Sequence, residues 1–179
     1  HDAAHHDHYT LSLPGALPNI DRAYLVVTVV SPQTLLGFID RFLVTAEAYH
    51  IPVSIVFNKV DLYTEEDQQK MQEWEAIYEP LGYECHAISA LNKQYVAFLE
   101  EEMQGKKVLI SGNSGVGKST LINSIDPNLN LKTGAISEAH NSGQHTTTFA
   151  EMHPLKNGGY IIDTPGIRGF GKYGSASGR

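Results

Sequence analysis

The clearest chemistry in this 179-residue sequence lies in Gly112-Asn113-Ser114-Gly115-Val116-Gly117-Lys118-Ser119. Its G-x-x-x-x-G-K-S spacing lets the backbone curl so that successive N–H groups converge on phosphate oxygens. Lys118 supplies a mobile charge for the β and γ phosphates, and the Ser119 hydroxyl is left to ligate Mg²⁺. Asn113 to Thr120 would line the cradle. Three shorter runs also carry ligand-type residues, namely Asn58-Lys59-Val60-Asp61, Ser89-Ala90 and Asp163-Thr164-Pro165-Gly166. Each follows a strand-like run, and the carboxyl ends of strands are where open α/β sheets bind ligands.

These residues need elements to hold them. Lys107-Val108-Leu109-Ile110-Ser111 reads as a strand entering the phosphate loop, and Thr120 to Ile125 as the first turns of a helix leaving it. Ala23 to Val30 and Pro52 to Phe57 are apolar, β-branched runs of the kind buried on both faces of a parallel sheet, and Tyr83 to Ile88 is a third strand. Ser31-Pro32 reads as the cap and first residue of a helix running to about His50 through Leu35, Ile39, Phe42, Leu43 and Ala46. Thr64 with Asp67 three residues on starts a second helix, with Met71, Trp74, Ile77 and Tyr78 as its apolar stripe. Lys93 to Met103 is predicted as a third, and Gln104-Gly105-Lys106 as a tight return. Thr148 to Leu155, a Lys156-Asn157-Gly158-Gly159 turn and Tyr160 to Asp163 read as a closing hairpin. The polar stretch 130–147 reads as loop.

Composition sets the outer limits. With 41% apolar and 18% charged residues the chain is long enough for one buried domain, over residues 19–172. A lead-in over 1–18 and a tail over 173–179 are expected to be flexible. The net charge of −7, with 13 Lys and Arg in total, argues against a nucleic-acid surface covering the whole domain but leaves room for a local basic patch. The single cysteine, Cys85, leaves no internal disulfide and reads as a buried, inert thiol. Four histidines and two aspartates in the first eight residues could hold a metal. With no second ligand cluster legible elsewhere, they read as a solvated tail. No apolar run approaches membrane-spanning length, so a cytoplasmic, monomeric protein is expected.

Together the motifs resemble those of the Ras-like guanine-nucleotide-binding proteins, with Asn58-Lys59-Val60-Asp61 matching the guanine-specificity motif and Ser89-Ala90 its weaker companion. The order is rearranged, since the base motif precedes the phosphate loop by about fifty residues. The fold class expected is therefore α/β, a circularly permuted Ras-like P-loop GTPase domain with a six-stranded, mostly parallel sheet flanked by helices. This order, with Gly143-Gln144-His145-Thr146-Thr147-Thr148 and Asp163-Thr164-Pro165-Gly166-Ile167-Arg168-Gly169-Phe170-Gly171, resembles the ribosome small subunit-dependent GTPase A family. Permuted GTPases of large-subunit assembly share the motif order without that threonine run.

The resemblance implies GTP/GDP and Mg²⁺ as ligands, and the small ribosomal subunit and its rRNA as partner in late maturation. Zinc is implied only in a C-terminal domain whose Cys and His ligands do not occur in this sequence. Asp61 would accept from the guanine N1–H and exocyclic amine, Asn58 would hold the neighbouring edge of the base, Lys59 would lie along it, and the Ala90 N–H would reach the guanine oxygen. Ser119, Thr147 and Asp163 would ligate Mg²⁺, with Gly166 facing the γ-phosphate. Ile167 stands where such proteins commonly carry a water-orienting glutamine, so slow turnover is expected and His145 becomes the catalytic candidate beside Lys118. A hydrolytically silent guanine-nucleotide-binding module and an ATP-dependent P-loop enzyme are the competing readings.

Overall fold

The computed structural model describes residues 19–127, 151–155 and 160–163. Among these residues there are six strands: β1 Arg22–Val27, β2 Val53–Phe57, β3 Glu84–Ala87, β4 Lys107–Ser111, β5 Glu151–Pro154 and β6 Tyr160–Asp163. Four helices run over Leu36–Ala48 (α1), Glu65–Tyr78 (α2), Ala97–Met103 (α3) and Lys118–Ile125 (α4). The strands form one sheet in the order β3-β2-β1-β4-β6-β5, parallel throughout except for the antiparallel β5–β6 pair. This is the mostly parallel six-stranded sheet the sequence led us to expect.

The unbroken apolar runs follow from burial on both faces. Ala23, Leu25 and Val27 of β1 join Ile55 and Phe57 in a core completed by Phe38, Ile39 and Phe42 of α1 and by Trp74 and Tyr78 of α2. Their neighbours Tyr24, Val26 and Val56 face the opposite way, into a second core with Leu99 and Met103 of α3 and Leu121, Ile122 and Ile125 of α4. Alternation along each strand thus feeds two apolar layers. Each large apolar side chain so buried contributes about 1.5–3 kcal/mol.

The position of β1 matters for the site. It pairs with β2 on one side and β4 on the other, so the chain's course reverses between β1 and β4. The loops after β1, β2 and β4 then lie side by side at one end of the sheet, the place where such sheets open a ligand crevice.

Three local expectations are corrected. First, α1 begins at Leu36, not at Ser31-Pro32. The Thr34 N–H donates to Thr28 O at 2.8 Å, the Thr28 N–H to Thr34 Oγ1 at 3.0 Å, and Thr28 Oγ1 to Pro32 O, so residues 28–34 close on themselves as a loop. A Pro-led helix start cannot compete with a loop whose two buried threonines satisfy it. Second, α3 is shorter than predicted, because Ser89 and Gln94 exchange both backbone hydrogen bonds and Lys93 and Tyr95 sit at positive φ. Third, Ile77 is 46% exposed, so the buried stripe of α2 is Trp74 and Tyr78 with Met71 packed beside them.

The α2 start is as predicted. The Asp67 N–H donates to Thr64 Oγ1 at 3.2 Å, and the Thr64 N–H to Asp67 Oδ2 at 3.0 Å, a reciprocal capping box. Thr64→Ala is expected to cost about 1 kcal/mol in denaturant unfolding, with the m-value unchanged. Cys85 is half-buried, and burial, helped by Glu79 and Glu75, pushes its thiol up to about 12. It is inert as a nucleophile at neutral pH. Among the described residues no helix is long and apolar enough to cross a membrane.

Candidate nucleotide site

Between β4 and α4, the run Gly112 to Gly117 turns through backbone that only glycine adopts freely. Gly112 lies at φ 154° and Gly117 at φ 94°. A Cβ on Gly112 would run into the Val26 carbonyl, and one on Gly117 into Asn58 Nδ2. The loop is therefore folded tightly against the end of β1 and the loop after β2, with Gly117 as the cap of α4. Lys118 and Ser119 open that helix and are both buried, at 8% and 7% exposure. A buried ammonium and hydroxyl at a helix N-terminus, beside a glycine cradle, form an anion-binding arrangement.

Asn58 is the hub of the base side. It is 2% exposed, and its Nδ2 donates to Val116 O at 2.8 Å while its Oδ1 accepts from the Ala90 N–H at 3.0 Å. One side chain thus joins the loops after β2, β3 and β4. The sequence reading gave Asn58 an edge of the base and the Ala90 N–H the guanine oxygen. In the structure these two groups bond each other, because closing the three loops satisfies polar groups that burial would otherwise leave costly.

Ser89 Oγ donates to Asp61 Oδ1 at 2.7 Å. This bond fixes the carboxylate of Asp61 and occupies one of its oxygens. Lys59, in the left-handed region at φ 65°, donates from Nζ to Ser31 O and to Gly115 O, each at 2.6 Å. Burial lowers its ammonium pKa against the opposing pull of Asp61. Lys59 therefore spans from the Asn58–Asp61 loop to the glycine loop and to the loop after β1.

Two contributors were not legible in the sequence. Tyr63 is buried, donates to Asn58 O at 2.8 Å and accepts from the Val29 N–H at 3.3 Å. Burial pushes its phenol up to about 12, so it keeps the proton it donates. The loop 28–34 is the other. Pro32 packs near Gly115 and the Ser31 carbonyl receives Lys59, so this loop becomes a wall of the site. An aromatic residue five positions beyond the motif's asparagine offers no pattern from which that role could be read.

The remaining predicted residues lie outside the described part of the structure. These are His145, Thr146, Thr147, Thr148, Gly166 and Ile167, together with the lead-in, the 156–159 turn and the tail; of Asp163 only the backbone, at the end of β6, is described.

A parallel sheet with a glycine cradle at one strand end, and with a buried asparagine binding that cradle to an Asn-Lys-x-Asp loop, defines a P-loop nucleotide-binding domain with permuted motif order. The chain belongs to the RsgA GTPase family, whose sequence profile matches residues 13–173. It is 54% identical over 155 residues to a protein of Phocaeicola vulgatus named small ribosomal subunit biogenesis GTPase RsgA, covering 87% of this chain and 50% of that protein. A Christiangramia forsetii protein of the same name is 54% identical over 153 residues, covering 86% and 49%. YjeQ from Thermotoga maritima superposes with a TM-score of 0.71 at 40% identity, over 85% of this chain and 50% of that one. YloQ, described as a circularly permuted GTPase, gives 0.60 at 31% identity, over 83% and 45%. The chain spans about half the length of the curated relatives it matches.

Proposed function

We propose that this chain binds GTP and hydrolyses it slowly, as the nucleotide domain of a cytoplasmic GTPase of small ribosomal subunit biogenesis. The observation that carries this reading is the Asn58 clasp. It ties the loop carrying Asp61, which accepts from Ser89, to the Gly112–Ser119 cradle, and so supports one site with a base side and a phosphate side. Asp61 is the guanine discriminator: its carboxylate is exposed, and a bound base that covers it without offering a donor, as adenine would, leaves a costly unpaired oxygen. The relatives' printed names supply the small ribosomal subunit as the partner class.

Mg²⁺ fits the phosphate end by donor chemistry, as a hard cation that takes oxygen ligands. Ser119, Thr147 and Asp163 would hold it, and when bound it supplies charge neutralisation at the β and γ oxygens. Lys118 adds to this from the cradle, and Gly166 would face the γ-phosphate. The attacking water needs a group that both donates and accepts. Ile167 can do neither, and His145, adjoining the threonines, can do both as a neutral imidazole. His145→Ala is therefore expected to lower single-turnover GTP hydrolysis by about 10²-fold, with GDP affinity nearly unchanged. Equal rates in variant and parent would remove His145 from the reaction. No measurable hydrolysis by the parent chain would favour a silent binding module.

With a net charge of −7, this monomeric chain is expected to bind small subunits weakly, with affinity falling steeply as salt rises. Tight, salt-insensitive co-sedimentation with the subunit would contradict that expectation.

A further inference from the structure

At the free edge of the sheet, three strands from the phosphate loop, Glu84 and His86 of β3 face Glu102 of α3. One carboxylate oxygen of each glutamate and one imidazole nitrogen of His86 all lie within 4.8 Å of one another. His86 Nε2 stands 3.4 Å from Glu84 Oε2, yet this buried nitrogen makes no hydrogen bond. Two ligands each about 2.0–2.1 Å from a tetrahedral metal lie roughly 3.4 Å apart, which is the His86–Glu84 separation; the 4.8 Å limit on the full set leaves Glu102 and the exposed Glu84 side chain to draw in around an ion. A nitrogen turned inward without a partner is also what a missing ligand bond leaves behind.

The surroundings hold these groups in place. Tyr24, Ser54 and Glu84 occupy one row across β1, β2 and β3. Tyr24 Oη donates to Glu102 Oε2 at 3.2 Å, and Ser54 Oγ donates to Glu84 Oε2 at 3.5 Å. Arg22 is the competing cation, but its Nη1 donates to Ser54 Oγ at 3.0 Å and so stands one hydrogen bond back from the carboxylate. The Phe98 ring lies 4.7 Å from the imidazole, centroid to centroid, and fixes its plane. Hydrogen bonds behind first-row ligands are what orient them in metal sites.

We propose that Glu84, His86 and Glu102 bind one divalent transition-metal ion of the zinc class, with water completing a tetrahedral shell. A mixed nitrogen and oxygen donor set with a single imidazole suits Zn²⁺ or Co²⁺ better than Mg²⁺ or Ca²⁺. The ion would tie the edge strand β3 to α3. Because β3 runs directly into Ser89, which holds Asp61, it would also steady the base side of the crevice. The site was invisible in the sequence, where Glu102 lies sixteen residues beyond His86 and only the N-terminal histidines formed a cluster.

The test is Zn²⁺ titration calorimetry on the chelator-treated, full 179-residue chain, with Co²⁺ absorption as a report on geometry. Histidines 1, 5, 6 and 8 offer competing ligands, so the comparison is with His86→Gln and Glu102→Gln in the same chain. The unmodified chain should bind one more equivalent than either variant and alone show the intense visible bands of tetrahedral Co²⁺. Tyr24→Phe should weaken that equivalent by about 10-fold. Equal stoichiometry in parent and variants would overturn the proposal. A check that needs no variant is the His86 Nε2 resonance of the ¹⁵N-labelled chain, which should shift on adding Zn²⁺; a resonance that stays put would overturn it equally.

Discussion

Lys118→Ala is expected to abolish tight nucleotide binding while leaving the fold intact. Lys118 is the first residue of α4 and is buried beside the glycine loop, while the apolar face of that helix is carried by Leu121, Ile122 and Ile125. Charge-assisted hydrogen bonds contribute about 1.5–3 kcal/mol each. Losing two of them from the phosphates gives roughly 10²- to 10⁴-fold weaker binding, against which alanine's good helix propensity costs the fold little. Calorimetric GDP and GTP titrations, with circular dichroism of the variant, check both halves. Unchanged affinity in a folded variant would mean that the cradle holds no phosphate.

Asp61→Asn should exchange one base for another. The Ser89 hydroxyl can still donate to the amide oxygen, so the side chain stays oriented as Asp61 is now. Its other end changes from an acceptor to a donor. It loses the guanine exocyclic amine as a partner and gains the carbonyl that xanthine carries in its place, which a carboxylate would repel, while the amide oxygen can still accept from the N1–H that both bases carry. Guanine affinity should fall by about 10²-fold or more, by analogy with sites in which a buried polar group is left without its match, and xanthosine diphosphate should become the better ligand. Competition between the two nucleotides measures this directly. Full retention of guanine selectivity would take Asp61 out of the base site. Ser89→Ala, which frees the carboxylate without changing its chemistry, should weaken guanine binding without moving preference toward xanthine.

Much of this was legible because strand periodicity and short motifs are local. The runs at Ala23 to Val27, Val53 to Phe57 and Lys107 to Ser111 are apolar on both faces, and only a covered parallel sheet makes use of that. The G-x-x-x-x-G-K-S and Asn-Lys-x-Asp spacings named their loops before any geometry was known. What escaped was set by contacts between distant residues. The loop 28–34 reads locally as a helix start, and it is turned into a wall by two threonines bonding across it and by Lys59, 28 residues from Ser31. Asn58 has the same appearance in sequence whether it faces a base or, as here, Val116 and Ala90. Tyr63 stabilises the base loop through its own backbone partners, Asn58 and Val29, and no residue type announces that.

In the proposed function Asp61 reads guanine and Lys118 holds phosphate in one site. Calorimetric titration of the unmodified chain with GDP, GTP and ATP in the presence of Mg²⁺ tests it most directly. Both guanine nucleotides should bind at one site, with ATP at least about 10²-fold weaker, because adenine offers Asp61 no donor pair. Comparable affinities for ATP and GTP would contradict the assignment of the base side, and no binding of any nucleotide would contradict the site as a whole.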